Sequence, residues 1–185
     1  MVSTNNLKNG MTVKIDGQLW RIEYFQHVKP GKGGAFVRTT LKGVTSGKTI
    51  DKTFRAGEEL EQAILERRHL QYLYREGEQL VFMDTETFEQ TFVPEEAIGD
   101  AAQWIRDGDT VELVFHEGDV LDINLPASVE LTVTDTEPGF AGDRVSGATK
   151  PATLETGAVV SVPLFIEPGE TIKVDTRSAS YLSRA

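Results

Sequence analysis

The chain has 185 residues, 39% of them hydrophobic, with 19 Lys and Arg against 29 Asp and Glu, a net charge of −10 and no cysteine. The length allows one ordinary domain or two to three small ones, the composition is that of a globular protein, and disulfides, thiolate metal sites and cysteine nucleophiles are excluded. Taken whole, so acidic a chain is a poor candidate for binding nucleic acid, because phosphate contacts rest on Lys and Arg.

In chain order, residues 12–16 and Gln18–Val28 are rich in Val, Ile, Trp, Tyr and Phe, and Asp16-Gly17 lies between them. Both turn positions of an Asp-Gly pair tolerate positive φ, so a hairpin is predicted. Residues 35–42 and 48–55 read as further strands across Gly43-Val44-Thr45-Ser46-Gly47, which makes the first sixty residues a small barrel without a convincing helix. Residues 58–75 are ambiguous. EELEQAILERRH has a helical composition, whereas Leu70, Tyr72 and Tyr74 alternate as in a strand. A strand is expected over the second half, and the state of residues 58–69 stays open. Gln79–Met83 follows as a strand, and residues 94–104, opening on Pro94 and two acids, as a short helix. Residues 110–115 and 120–125 form a hairpin, Pro126 marks a junction, and strands recur at 131–135, Val159–Pro163 and Thr171–Asp175.

Charge is spread unevenly along these elements. Residues 1–60 hold ten basic and five acidic residues, net +5; residues 61–127 hold four and sixteen, net −12; residues 128–185 hold five and eight, net −3. A basic first third hidden inside an acidic total suggests a polyanion-facing end, although ordinary solvated faces also give such counts. One internal echo, GDTVEL at 108–113 and GETIKV at 169–174, is offset by 61 residues and fits two successive β domains of about sixty residues. Domains that small bury only ~60% of their chain surface, so packing between them should matter. The N-terminal MVSTNNLKNG lacks a signal-peptide core, and no apolar run approaches the ~18 residues of a membrane span. A cytoplasmic protein without a membrane partner is expected.

Chemistry-bearing motifs are few. His27, His69 and His116 lie far apart with no companion at metal-ligand spacing, so no metal is expected. A phosphate-cradling loop before Gly47-Lys48-Thr49 needs Gly where Lys42 stands, and a nucleophile elbow needs Ser where Thr45 stands. No pair of carboxylates is singled out as general acid and base. Neither enzymatic activity nor a cofactor is expected. The segment Lys29-Pro30-Gly31-Lys32-Gly33-Gly34 is different in kind. Pro30 fixes φ, and three glycines leave little bulk besides the two lysines, so Lys32 would project as a long cation able to approach a larger surface. Lys14, Lys29, Arg38 and Lys42 could add positive potential; a plain hairpin turn with a solvating lysine is the competing reading.

KPGKGGAFVRTTLKG, KTIDKTFRAGEELEQA, YLYREGE, FMDTETFEQ and the segment from VELTVTDTEPGF to the terminal SASYLSRA follow one another along the chain. Together they resemble the bacterial elongation factor P family. The family's signature spacing K-x-A-x4-G-x2-[LIV]-x-V-P-x2-[LIV]-x2-G is met by Lys150, Ala152, Gly157, Val160, Val162, Pro163, Ile166 and Gly169. The resemblance covers essentially the whole chain. It implies an all-β protein of three small barrels, an SH3-like (KOW-type) barrel at 1–63 and OB-type barrels at 64–126 and 127–185, in an L-shaped, tRNA-like arrangement.

For function the resemblance implies a monomeric factor that binds the ribosome between the peptidyl and exit sites, beside peptidyl-tRNA and ribosomal RNA. There it stimulates peptide-bond formation when consecutive prolines stall synthesis. It implies that Lys32 reaches towards the acceptor end of peptidyl-tRNA, and in some bacteria the residue at this position is extended by a modifying enzyme, which would then be a further partner. Gly34 and Thr39-Thr40 differ from tips associated with lysine-type extension, so an unmodified Lys32 is favoured. In the third domain it places Gly142 and Asp143 near the exit-site codon, and Tyr181 and Arg184 against tRNA, where a ring can stack and a guanidinium can reach phosphate. Core packing in a last strand is the alternative for Tyr181. A generic OB-type RNA-binding protein and the elongation-factor-P-like paralogue remain the rival identities.

Overall fold

The computed structural model describes residues 1–139 and 147–185. Its strands are β1 (Val2–Ser3), β2 (Thr12–Ile15), β3 (Gln18–Val28), β4 (Phe36–Gly43), β5 (Thr49–Arg55), β6 (Glu59–Ala63), β7 (Glu66–Glu76), β8 (Gln79–Met83), β9 (Gln90–Pro94), β10 (Thr110–His116), β11 (Asp119–Asn124), β12 (Ser128–Thr136), β13 (Thr149–Leu154), β14 (Val159–Pro163), β15 (Thr171–Asp175) and β16 (Ser180–Arg184). They form three sheets, in the orders β1-β6-β2-β3-β4-β5, β11-β10-β7-β8-β9 and β14-β13-β12-β15-β16. By compactness the chain falls into two units, Met1–Arg67 with Val114–Asp122, and Arg68–Leu113 with Ile123–Ala185. Among the described residues no helix is long and apolar enough to cross a membrane.

In the first sheet, Asp16 and Gly17 take φ of 51° and 78° and turn β2 back onto β3 with Ile15 opposite Gln18. This is the two-residue turn whose twist matches that of the strands. The inward residues alternate as a half-buried strand demands: Val37, Thr39 and Leu41 of β4 are buried and pack with Val13, Ile22, Phe54 and Leu60. The open stretch 58–69 holds no helix and divides into β6 and the start of β7, with Ile64 and Leu65 between them. β6 runs between β1 and β2, with Leu60 opposite Val2 and Ala63 opposite Thr12, so pairing on both sides overrides the helical composition.

The helix expected over 94–104 is shorter. Pro94 closes β9, Glu95–Ile98 make one α-turn (α1), and Gly99–Trp104 continue as 3-10 turns. Gly99 breaks the run at φ 55°, ψ −136°, a conformation open to glycine and foreign to a helix. Glu95 is tied by both carboxylate oxygens to Arg75, at 2.7 and 2.9 Å. Trp104 ends the run buried among Leu131, Val133, Val162, Ile172 and Val174.

The echo in the sequence proves to be one turn built twice. Gly108 and Gly169 have φ of 90° and 91°, and each donates its N–H at 2.8 Å to a carbonyl, of Tyr72 and Val133 respectively. Those two residues return 2.8 Å bonds to the carbonyls of Asp109 and Glu170. The Asp109 carboxylate caps the Arg106 N–H and the Glu170 carboxylate caps the Glu167 N–H, both at 2.9 Å. The glycine is required by its φ, and the acid satisfies a donor that the turn would leave unpaired.

β1, β9, β13 and β16 carry no clear signal in the sequence. β13 contains Pro151, which lies one residue past the last pairing with β12, at Ala152 with Thr136, where a missing N–H removes no bond of that ladder.

Candidate functional site

The segment 29–35 joins β3 to β4, and all seven of its residues are exposed. Ladder pairing ends at Val28 with Phe36, and the last fully buried core residue on β4 is Val37. Lys32 is the fourth loop residue, so the backbone can carry it up to ~14 Å beyond Val28. Gly33 takes φ 103°, and a Cβ added at Gly31, Gly33 or Gly34 would meet nothing within 4 Å. The glycines therefore set the path and slimness of the tip and are not required by packing. Among the described residues Lys32 makes no hydrogen bond or ion pair, so its ammonium is presented to whatever the tip meets.

Behind the tip the outer face of β3, β4 and β5 is basic. Register puts Arg21 opposite Lys42, Gln26 opposite Arg38, and Phe36 opposite Arg55, all facing away from the Val37–Leu41 side. The bulge between Ile22 and Tyr24 keeps Tyr24, 53% exposed, on the same face as Arg21. Of the lysines and arginine expected to support Lys32, Arg38 and Lys42 lie on this face and Lys29 in the loop itself. Lys14 stands on β2 between Leu19 and Glu61. Arg21, Arg55 and Tyr24 were not singled out in the sequence, although a period of two counted from Arg38 would have found Arg55 through its partner strand. Thr39 is wholly buried, its hydroxyl donating to the Lys52 carbonyl at 2.6 Å, and Thr40 donates to Asp51 at 2.8 Å, so the Thr39-Thr40 pair shapes the barrel and does not border the tip.

In the third sheet Tyr181 and Arg184 are brought to one face. A regular strand sends residues three apart to opposite sides. Here Val174 pairs with Tyr181, Lys173 with Ser183 and Ile172 with Arg184, leaving Leu182 as the surplus residue of a bulge. Tyr181 is half-buried against the core, as its alternative reading had it, while Arg184 continues outward. The Arg184 guanidinium lies 4.7 Å from the Phe165 ring centroid and its Nη2 is 3.1 Å from Glu170 Oε1. Gly142 and Asp143 lie outside the described residues.

The signature residues form core and turns. Ala152, Val160, Val162 and Ile166 are buried, Gly157 and Gly169 take positive φ, and half-buried Pro163 closes β14. Lys150 is buried as well, its Nζ donating to the Glu137 carbonyl at 2.5 Å. Among the described residues no group of three or more His, Asp and Glu could hold a metal ion. A cleft lined by Trp104, Ile105, Arg106, Asp109 and Pro126 has its cation already engaged, by Asp109 at 3.7 Å and Glu155 at 3.6 Å.

Comparison with known proteins accounts for the chain end to end. Residues 3–60 match the profile described as Elongation factor P (EF-P) KOW-like domain, residues 65–123 the Elongation factor P (EF-P) OB domain, and residues 129–184 Elongation factor P, C-terminal. The chain is 57% identical over 185 residues to Elongation factor P of Acidothermus cellulolyticus, covering 100% of this chain and 99% of that one. It is 58% identical over 184 residues to Elongation factor P of Mycobacteroides abscessus, covering 100% and 98%. Among solved structures, the eukaryotic translation initiation factor 5A from Methanococcus jannaschii superposes with a TM-score of 0.54 at 29% identity, over 66% of this chain and 90% of that chain. Three β-domains of KOW-like and OB type, matched over their full length by these relatives, make the chain a member of the bacterial elongation factor P family and a translation elongation factor.

Proposed function

We propose that the protein binds the ribosome between the peptidyl and exit sites, beside peptidyl-tRNA and against ribosomal RNA, and relieves stalling at consecutive prolines by positioning peptidyl-tRNA. The observation that carries this reading is the tip: one lysine without partners among the described residues, on a glycine-bounded loop with no packing role, backed by a basic sheet face. Such a cation adds length without width, and can enter an RNA-lined passage and pair with phosphate there. The factor then performs no bond chemistry. Orienting the reactants removes an entropic barrier, an effect worth on the order of 7–11 kcal/mol in ideal intramolecular systems. A prolyl acceptor, a constrained secondary amine, gains most from such help. Lys32 acts as plain lysine in this reading, Tyr181 and Arg184 face tRNA, and Gly142 and Asp143 lie towards the exit-site codon.

The test is synthesis of a Pro-Pro-Pro reporter by purified ribosomes with and without the protein. Rescue is expected, together with weak binding to free single-stranded RNA; a reporter that stays stalled while free RNA is bound tightly would favour a generic RNA-binding protein. Lys32→Ala should lose most of the rescue with its melting temperature unchanged, because a loop tip outside the packed core contributes little to stability. Intact mass of protein from its native host decides whether Lys32 carries an extension.

A further inference from the structure

We propose that Phe165 and Glu170 are positioning residues that form a seat for the Arg184 guanidinium and leave its Nη1 donor for an RNA phosphate. This rests on the reading that Arg184 faces RNA. The seat is built by the segment between β14 and β15, whose signature spacing has otherwise only a structural explanation. The Phe165 ring, 57% exposed, gives up solvent-facing apolar surface to a flat guanidinium 4.7 Å from its centroid. A ring face attracts a cation and tolerates the weak hydration of Arg better than that of Lys. Glu170 divides its carboxylate: Oε2 accepts the Glu167 N–H at 2.9 Å, which anchors it to the turn, and Oε1 takes Arg184 Nη2 at 3.1 Å. The Phe165 carbonyl lies 3.4 Å from the same Nη2. Among the described residues Nε and Nη1 make no hydrogen bond; both two-donor edges of a guanidinium include Nη2, which is taken here, so what is left for a phosphate is single N–H contacts, chiefly from Nη1.

The repeated turn shows what is special here. In the second sheet the equivalent position is Asp109, which caps the turn in the same way but is one methylene shorter. Glu170 therefore has reach that the turn does not need, and the reach is used on Arg184. Held on a ring and an anchored carboxylate, the arginine has already given up rotamer freedom that it would otherwise lose on binding.

The test titrates full-length protein into ribosomal Pro-Pro-Pro synthesis and reads the half-maximal concentration, with thermal melts of every variant. Arg184→Ala should raise that concentration about tenfold. Phe165→Leu and Glu170→Asp should each raise it about three- to fivefold, and add nothing in the Arg184→Ala background. Asp at 170 keeps the cap that Asp109 demonstrates, so the fold survives, and Phe165→Tyr should restore wild-type behaviour. Equal losses with and without Arg184, or no loss from Phe165→Leu and Glu170→Asp while Arg184→Ala is impaired, would overturn the seat alone. An Arg184→Ala protein of normal potency would instead remove Arg184 from the RNA-facing surface.

Discussion

The carboxylate of Asp175 accepts the backbone N–H groups of Ser178 and Arg177, each at 2.8 Å, and so organises the turn that leads into the strand bearing Tyr181 and Arg184. Those two donors, Ser178 first, hold its carboxyl below the usual carboxylate range. A depressed folded-state value means that the unfolded chain binds the proton more readily. The stabilisation is thus present above the unfolded value of about 4 and is lost as pH falls through the folded value. Asp175→Ala should melt below wild type at neutral pH, and the gap should close as pH is lowered towards about 2. A gap independent of pH would mean that the charge has no part in it. Lys32 is the opposite kind of residue, with no partner among the described residues, and its place in an exposed loop was legible in the sequence because glycine and proline punctuate a loop wherever they occur. Glu170 was not legible. As a residue of a Gly-Glu-Thr turn it has an ordinary turn role, and only the tertiary fold brings Arg184 to its second oxygen.

At the level of elements, strands that alternate between polar and apolar were readable, as β2 to β5 were, because one face meets a core. β6 was not, since a short segment of helix-forming residues declares itself a strand only through the neighbours that pair with it. Bulges belong to the same class of hidden feature, because one surplus residue leaves no mark in composition. The bulge at Leu182 gives a test of element geometry. If Leu182 is merely surplus, deleting it leaves Tyr181 and Arg184 two apart in a regular strand, still on one face. Rescue by the Leu182 deletion should then stay near wild type, measured beside Arg184→Ala. A deletion as impaired as Arg184→Ala would mean that the bulge itself sets the angle of Arg184.

For the whole molecule, Trp104 illustrates how small β-domains gain stability by sharing residues. It arrives from the turns that follow α1 and is 3% exposed within the core of the third sheet. Trp104→Ala should cost about 3–5 kcal/mol, the range for a large buried aromatic, read as a lowered urea midpoint. A loss below ~1 kcal/mol would show that the site collapses around the missing ring. The net charge of −10 describes none of the parts: the first sixty residues are +5, and four of their cations share one sheet face. Composition, turn residues and motif order by themselves determined the all-β class, the lysine tip and the family, because these depend on local backbone preference and on residues close in sequence. The tertiary structure decided which side chains meet: the basic face behind the tip, the shared face of Tyr181 and Arg184, and the seat beneath that arginine. Those meetings depend on register, bulges and the pairing of distant strands, and such long-range geometry has no local signature in the chain.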